Sequence, residues 1–167
     1  CIMAEITLGG TPTNTSGGLP AVGTSLANYE FVKHDMSPLS LDSLKGQKVV
    51  LNIFPSVDTG VCATSVRTFN QKASELDGTT VVCVSKDLPF ALARFCGAEG
   101  IENVISASQY KDQSFSEKYR VDMLNGPLAG LMSRAIVVIN EEGEVTYVEQ
   151  VPEIVQEPDY DKALASI

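Results

Sequence analysis

From Lys48 onward the chain alternates short apolar runs with amphipathic stretches. Val49–Phe54 reads as a continuous apolar run, as expected of a strand buried on both faces. Pro55 ends it, and Ser56–Val61 follows as a loop. Cys62, Val66, Phe69, Ala73 and Leu76 then recur at spacings of 4, 3, 4 and 3, which predicts a helix with one apolar face, stopped at Asp77-Gly78. Thr79–Ser85 is again apolar and β-branched, a second buried strand. Asp87-Leu88-Pro89 has the chemistry of a helix start, with Asp87 available as a cap and proline tolerated in the first turn. That helix is expected to run to about Phe95 and to stop near Gly97 or Gly100.

Val104–Ser106 predicts a short strand and Ser114–Tyr119 a short helix. Arg134–Ile139 is a strongly apolar strand, turned by Glu141-Glu142-Gly143 into Glu144–Val151. Pro158 opens a C-terminal helix carrying Tyr160, Ala163, Leu164 and Ile167. Ahead of this series, Glu5–Leu8 and the Gly- and Thr-rich stretch to Gly18 predict a small β-hairpin, Asn28–Lys33 a strand, and Leu39–Leu44 a short irregular piece ending at Gly46. The order β-α-β-α-β-α-β-β-α implies an α/β fold, a partly parallel sheet covered by helices on both faces. Its closing hairpin and helix resemble a thioredoxin-type domain, here with an N-terminal extension. No repeat, linker or low-complexity tract divides the chain, so residues 1–167 are read as one domain.

Composition narrows the function. With 44% hydrophobic and 20% charged residues the chain is ordinary for a globular protein. Twenty-one acidic against twelve basic residues give a net charge of −9 with no Lys/Arg cluster, which argues against nucleic-acid and anionic-membrane partners. Runs such as Ala135–Ile139 are too short to span a bilayer. Four cysteines, Cys1, Cys62, Cys83 and Cys96, are too few for a disulfide scaffold and read as cytoplasmic thiols. Met3-Ala4-Glu5 reads as a natural start, so Cys1-Ile2 is taken as a cloning residue or the trace of an upstream start; a mature bacterial lipoprotein also begins with Cys.

Cys62 falls at the carboxyl end of a strand and in the first turn of the following helix. Unsatisfied backbone N–H groups and the positive end of the helix dipole there favour thiolate over thiol. Thr59, three residues earlier, brings a hydroxyl within reach of the sulfur, and Pro55, which cannot donate, would shape and shield a pocket. Asp58 is expected to serve the helix start. Cys62 is also in phase with Val66 and Phe69, so periodicity alone favours a small core residue. Its place after a Pro- and Gly-bearing loop at a helix start shifts the balance toward a reactive thiol. Cys96, 34 residues downstream beside Gly97, is either a partner for an oxidised Cys62 or an inert thiol near a helix cap. Cys83, flanked by valines in a strand, reads as core. Arg134, opening an apolar strand, either reaches solvent or is drawn to an anion. No C-x-x-C, metal-ligand spacing or Gly-rich phosphate loop occurs, and His34, the one histidine, reads as a loop residue.

Pro55-x-x-x-Thr59-x-x-Cys62 resembles the active-site motif of the peroxiredoxins. The longer string Asn52–Cys62, together with Arg94-Phe95-Cys96-Gly97-Ala98-Glu99-Gly100, Gly126-Pro127-Leu128-x-Gly130-Leu131 and Glu157-Pro158-Asp159-Tyr160, resembles the thiol peroxidase branch, an atypical two-cysteine group. The resemblance covers the chain from Glu5 on. It implies that Cys62 is peroxidatic and Cys96 resolving, that Thr59 and Arg134 hold the thiolate and the peroxide, that Pro55 limits solvent access, and that Cys83 is a buried bystander. It further implies reduction of hydrogen peroxide and alkyl or lipid hydroperoxides, an intramolecular disulfide reopened by thioredoxin, a homodimer, and no metal, haem or flavin. Two cysteines on different helices need not lie within disulfide reach, which takes Cα atoms within about 7 Å, so both helix ends are expected to unwind on oxidation. A thiol redox sensor or relay using the same cysteines, and a module with inert thiols, are the competing readings.

Overall fold

The computed structural model describes residues 4–25 and 28–167; Cys1-Ile2 lies outside them. Two strands, β1 (Ala4–Leu8) and β2 (Thr11–Thr15), form a separate antiparallel hairpin. Among the described residues the main sheet has seven strands in the order β4-β3-β7-β6-β5-β8-β9. Here β3 is Glu30–Lys33, β4 Pro38–Ser40, β5 Lys48–Ile53, β6 Thr79–Ser85, β7 Ile105–Ser108, β8 Ala135–Ile139 and β9 Val145–Gln150. The centre β5-β6-β7 is parallel, and β3, β4, β8 and β9 join antiparallel. Among the described residues four α-helices accompany it: α1 (Gly60–Ala73), α2 (Pro89–Glu99), α3 (Ser114–Tyr119) and α4 (Tyr160–Ala165).

Period-two alternation along the buried strands splits the core in two. Val49, Leu51 and Ile53 of β5, Val82 and Val84 of β6, and Ala135 and Val137 of β8 face Phe115 and Tyr119 of α3. Val50, Val81, Cys83, Ile136 and Val138 face the other way, against Cys62, Val66 and Phe69 of α1, Leu92, Phe95 and Cys96 of α2, and Ala163 of α4. Helices therefore cover both faces, as the alternation implied. Tyr160, Leu164 and Ile167 pack against the second of these cores, although the C-terminal helix starts at Tyr160, after Pro158 and its cap Asp159, and ends at Ala165, before Ile167.

The differences from expectation are local. Leu39–Leu44 is ordered: strand β4 runs into a single 3₁₀ turn, Leu41–Leu44. Helix α1 begins two residues before Cys62 and ends at Ala73, with Leu76 in the turn that leads through Gly78 to β6. Helix α2 extends past Phe95 to Glu99, where Gly100 takes the left-handed conformation (φ 65°) of a C-terminal cap. The run Val49–Phe54 is not wholly apolar: Asn52 is fully buried within it.

The hairpin is not a loose appendage. Gly9 and Gly10, both at positive φ (58° and 85°), supply the tight turn that L side chains disfavour. Ile6 packs on Met123 and Ile154, and Thr7 N–H donates to the Pro152 carbonyl at 2.8 Å.

Candidate active site

Strand register builds the site. Ile53 of β5 pairs with Ala135 of β8, so the chain leaving β5 at Phe54-Pro55 lies beside Arg134, the residue entering β8. Because Ile136 and Val138 face α1, the same alternation turns Arg134 to that face. The loop Ser56–Thr59 then reverses the chain into α1, whose first turn carries Cys62.

The geometry brings Cys62 and Arg134 together. Arg134 Nη2 donates to Cys62 Sγ at 3.2 Å, with Cys62 0% and Arg134 1% exposed. Arg134 Nε donates to the Ile154 carbonyl at 2.8 Å, which fixes the guanidinium plane, while Nη1 is buried without a partner. Burying a guanidinium is costly unless an anion faces it. The Cys62 sulfur is the acceptor that faces it, at the helix start where the backbone N–H groups of the first turn have no helical acceptor. Of the two readings left open for Arg134, the structure places it on the sulfur.

A cavity of about 200 Å³ opens beside them, walled by Leu8, Pro55, Thr59, Gly60, Val61, Leu128, Arg134, Ile154 and Val155. Pro55 is buried and lines it, as expected. Thr59 also lines it, but its hydroxyl does not reach the sulfur. It donates to the Ser56 carbonyl at 2.9 Å, the acceptor that the Thr59 N–H also uses at 3.2 Å, so both groups close the same turn. Asp58 does not cap α1 either; its carboxylate pairs with Arg94 on α2, and the N-cap position is Thr59.

Cys96 lies one turn before the end of α2, 7% exposed, and donates to Ser106 Oγ at 3.3 Å. Burial pushes its thiol up, partly offset by that hydrogen bond. Burial likewise pushes the Cys83 thiol up, to about 12, although Asn52 Nδ2 donates to it at 3.6 Å. Cys83 is a core residue, as read from its neighbours. Cys62, Cys83 and Cys96 are all free thiols. His34 sits half-buried in the turn between β3 and β4, an edge of the sheet separated from β5 by β7 and β6.

Two supporting residues escaped the sequence reading. Asp87 does not cap α2, whose N-cap is Leu88. Its carboxylate accepts from Ser56 Oγ at 2.7 Å, Val57 N–H at 2.9 Å and Ser85 Oγ at 2.6 Å, and so anchors the loop before Cys62 to the end of β6. Asn52 donates to Ser65 Oγ at 3.2 Å, and Ser65 in turn donates to the Cys62 carbonyl at 2.8 Å. A lone polar residue in a buried strand, one strand from a buried cysteine, was the available signal for Asn52. Among the described residues no group of three or more His, Cys, Asp or Glu side chains could hold a metal ion, and no helix is long and apolar enough to cross a membrane.

The buried thiol is set against a guanidinium at the carboxyl end of a central strand of this sheet, and the Redoxin family model matches residues 21–164: the chain belongs to that family. It is 57% identical over 165 residues to a thiol peroxidase of Mycobacterium bovis and 52% identical over 165 residues to one of Corynebacterium glutamicum, in each case over 99% of both chains. A peroxiredoxin-like protein from Aquifex aeolicus superposes with a TM-score of 0.90 at 37% identity, covering 100% of both chains. A thiol peroxidase from Chromobacterium violaceum shares the fold at a TM-score of 0.88 and 21% identity, covering 96% of this chain and 93% of its own. Within its family the chain groups with the thiol peroxidases, and its activity is that of a peroxidase.

Proposed function

We propose that the protein reduces hydrogen peroxide and alkyl or lipid hydroperoxides through Cys62, with Cys96 as the resolving thiol and thioredoxin as the reductant. The observation that carries this reading is the 3.2 Å hydrogen bond from Arg134 to the Cys62 sulfur. The Cys62 thiolate attacks the terminal oxygen of the hydroperoxide. An S–O bond forms, the O–O bond breaks, and the departing alkoxide takes a proton from water to leave as an alcohol. Arg134 supports the reading twice: Nη2 holds the thiolate, and the unpartnered Nη1 offers a donor to the oxygen on which charge accumulates. The backbone N–H of Cys62 and the Thr59 hydroxyl, once it releases Ser56, complete the donor set.

Cys62 is fully buried, so attack requires the Pro55–Gly60 entrance to shift and admit the peroxide past Arg134. The cavity walls, mostly Leu, Val, Ile and Pro, suit an alkyl chain. Cys96 then attacks the sulfenic sulfur, water leaves, and a Cys62–Cys96 disulfide closes. The dithiol of thioredoxin reopens it by exchange. The chain works as one domain, in the cytoplasm and as a homodimer, and its antioxidant chemistry needs no bound cofactor. The experiment is peroxide consumption coupled to thioredoxin, its reductase and NADPH, with mass mapping of the disulfide after one equivalent of peroxide. A Cys62–Cys96 linkage with sustained turnover is expected; a single turnover without recycling would instead mark a redox sensor.

A further inference from the structure

We infer that Glu153 is the positioning residue that sets which hydroperoxides the cavity accepts, by fastening the N-terminal hairpin to the segment after β9 so that Leu8, Ile154 and Val155 form one apolar wall. This rests on the peroxidase reading. The Glu153 carboxylate accepts four hydrogen bonds from two distant stretches of chain. Oε1 takes Gly10 N–H at 2.8 Å and Thr7 Oγ1 at 3.0 Å; Oε2 takes Val155 N–H at 3.0 Å and Gly9 N–H at 3.1 Å. The backbone bonds Thr7 N–H to Pro152 carbonyl and Ile154 N–H to Thr7 carbonyl, each 2.8 Å, run alongside. Leu8, Ile154 and Val155, all held by this clamp, line the cavity. The Ile154 carbonyl also seats Arg134 Nε at 2.8 Å, so the segment that Glu153 fastens carries both the wall and a support of the guanidinium.

An ionised acceptor is the group that fits this place. Donors from Val155, Gly10, Thr7 and Gly9 converge on it, led by the Val155 N–H, and hold the carboxyl down at about 2. A neutral amide offers one acceptor oxygen and turns a donor toward the Val155 and Gly9 amides. Without the clamp, the hairpin turn and Val155 move apart and the wall loses its shape. Hydrogen peroxide presents nothing to that wall, whereas an extended or bulky hydroperoxide rests on it.

The test is steady-state kinetics of Glu153→Ala, Glu153→Gln and Leu8→Ala with cumene hydroperoxide and hydrogen peroxide side by side. The ratio of kcat/KM for cumene hydroperoxide to that for hydrogen peroxide is expected to fall by about tenfold or more in Glu153→Ala, chiefly through the KM for cumene hydroperoxide. Glu153→Gln is expected to lie between it and the parent protein. Leu8→Ala leaves the clamp in place and is expected to lower the ratio in the same direction. An equal loss with both substrates, as mere destabilisation gives, overturns the inference, and so does an unchanged ratio in either Glu153→Ala or Leu8→Ala. Cys62→Ser in the same assay separates the two ideas: turnover surviving there defeats the peroxidase reading itself, whatever the ratios do.

Discussion

Arg134 and Cys62, 72 residues apart in sequence, form a hydrogen-bonded pair sealed from solvent, with the guanidinium donating to the cysteine sulfur at 3.2 Å. Replacing Arg134 with Ala removes both the support of the thiolate and the free Nη1 donor. The rate of Cys62 oxidation by peroxide is expected to fall about 10²–10³-fold, the scale of losing one preorganised donor. Lys in its place restores charge but not the two-pronged geometry, and is expected to recover only part of the rate. Stopped-flow oxidation of the reduced protein reads this directly. Arg134→Ala oxidising at the parental rate would leave the pair without a chemical role.

Cys62→Ser is expected to abolish peroxide reduction, while Cys96→Ser keeps one oxidation event and loses thioredoxin-coupled cycling. The structure adds a conformational condition. Cys96 lies within α2, hydrogen-bonded to Ser106, and Cys62 within α1, hydrogen-bonded to Arg134, so each sulfur is engaged with a different partner. On the proposed disulfide mechanism, the end of α2 is expected to unwind and free Cys96 from the burial that raises its thiol. Hydrogen exchange at the backbone amides near Cys96 is expected to quicken in the disulfide form. Protection equal in the two redox states would count against unwinding.

Cys83 supplies a pH test with a definite sign. Burial raises its folded thiol to about 12, above an ordinary value near 9. The protonated form is the one the fold prefers, so its contribution is complete below pH 9 and is lost as pH rises toward 12. Cys83→Ala is expected to flatten the alkaline fall in stability over that window, read from denaturant midpoints, and to remain an active peroxidase. An alkaline limb of the same steepness would place the titrating group elsewhere.

Much of this was legible in advance because the decisive patterns are periodic. Alternation in Arg134–Ile139 assigns Arg134 and Ile136 to one face, and the 4-3-4 spacing from Cys62 to Ala73 in α1 assigns Cys62 and Val66 to the face that meets them. What was not legible is polar wiring between segments far apart in sequence. Asp58 and Asp87 both precede helices and both invite assignment as caps, yet tertiary partners claim them: Arg94 for Asp58, and the Ser56-Val57 loop for Asp87. Thr59 has the right distance in sequence to touch the sulfur, but the tight turn after Pro55 takes its hydroxyl first. Local rules rank such side chains by their nearest backbone. For Asp58 and Asp87 the folded chain offers donors from residues far away in sequence.

Asp87 is where that difference is most easily measured. Its carboxylate collects one backbone N–H and two hydroxyls, and two of the three come from the loop that leads into Cys62. In Asp87→Ala the Val57 N–H loses this acceptor, and Ser56 Oγ, which itself accepts from the Asp58 N–H at 3.1 Å, loses its fixed orientation. Loss of hydrogen bonds to a charged group costs about 2 kcal/mol, which a shift in denaturant midpoint at constant slope resolves. A purely structural anchor stops there. An anchor that also positions the entrance to the site lowers the rate of Cys62 oxidation, because Pro55 and Thr59 flank the released segment and line the cavity. Asp87→Asn keeps one carbonyl acceptor for Val57 and is expected to recover more stability than rate. Equal recovery of both would show that Asp87 stabilises the fold without shaping the approach to the sulfur.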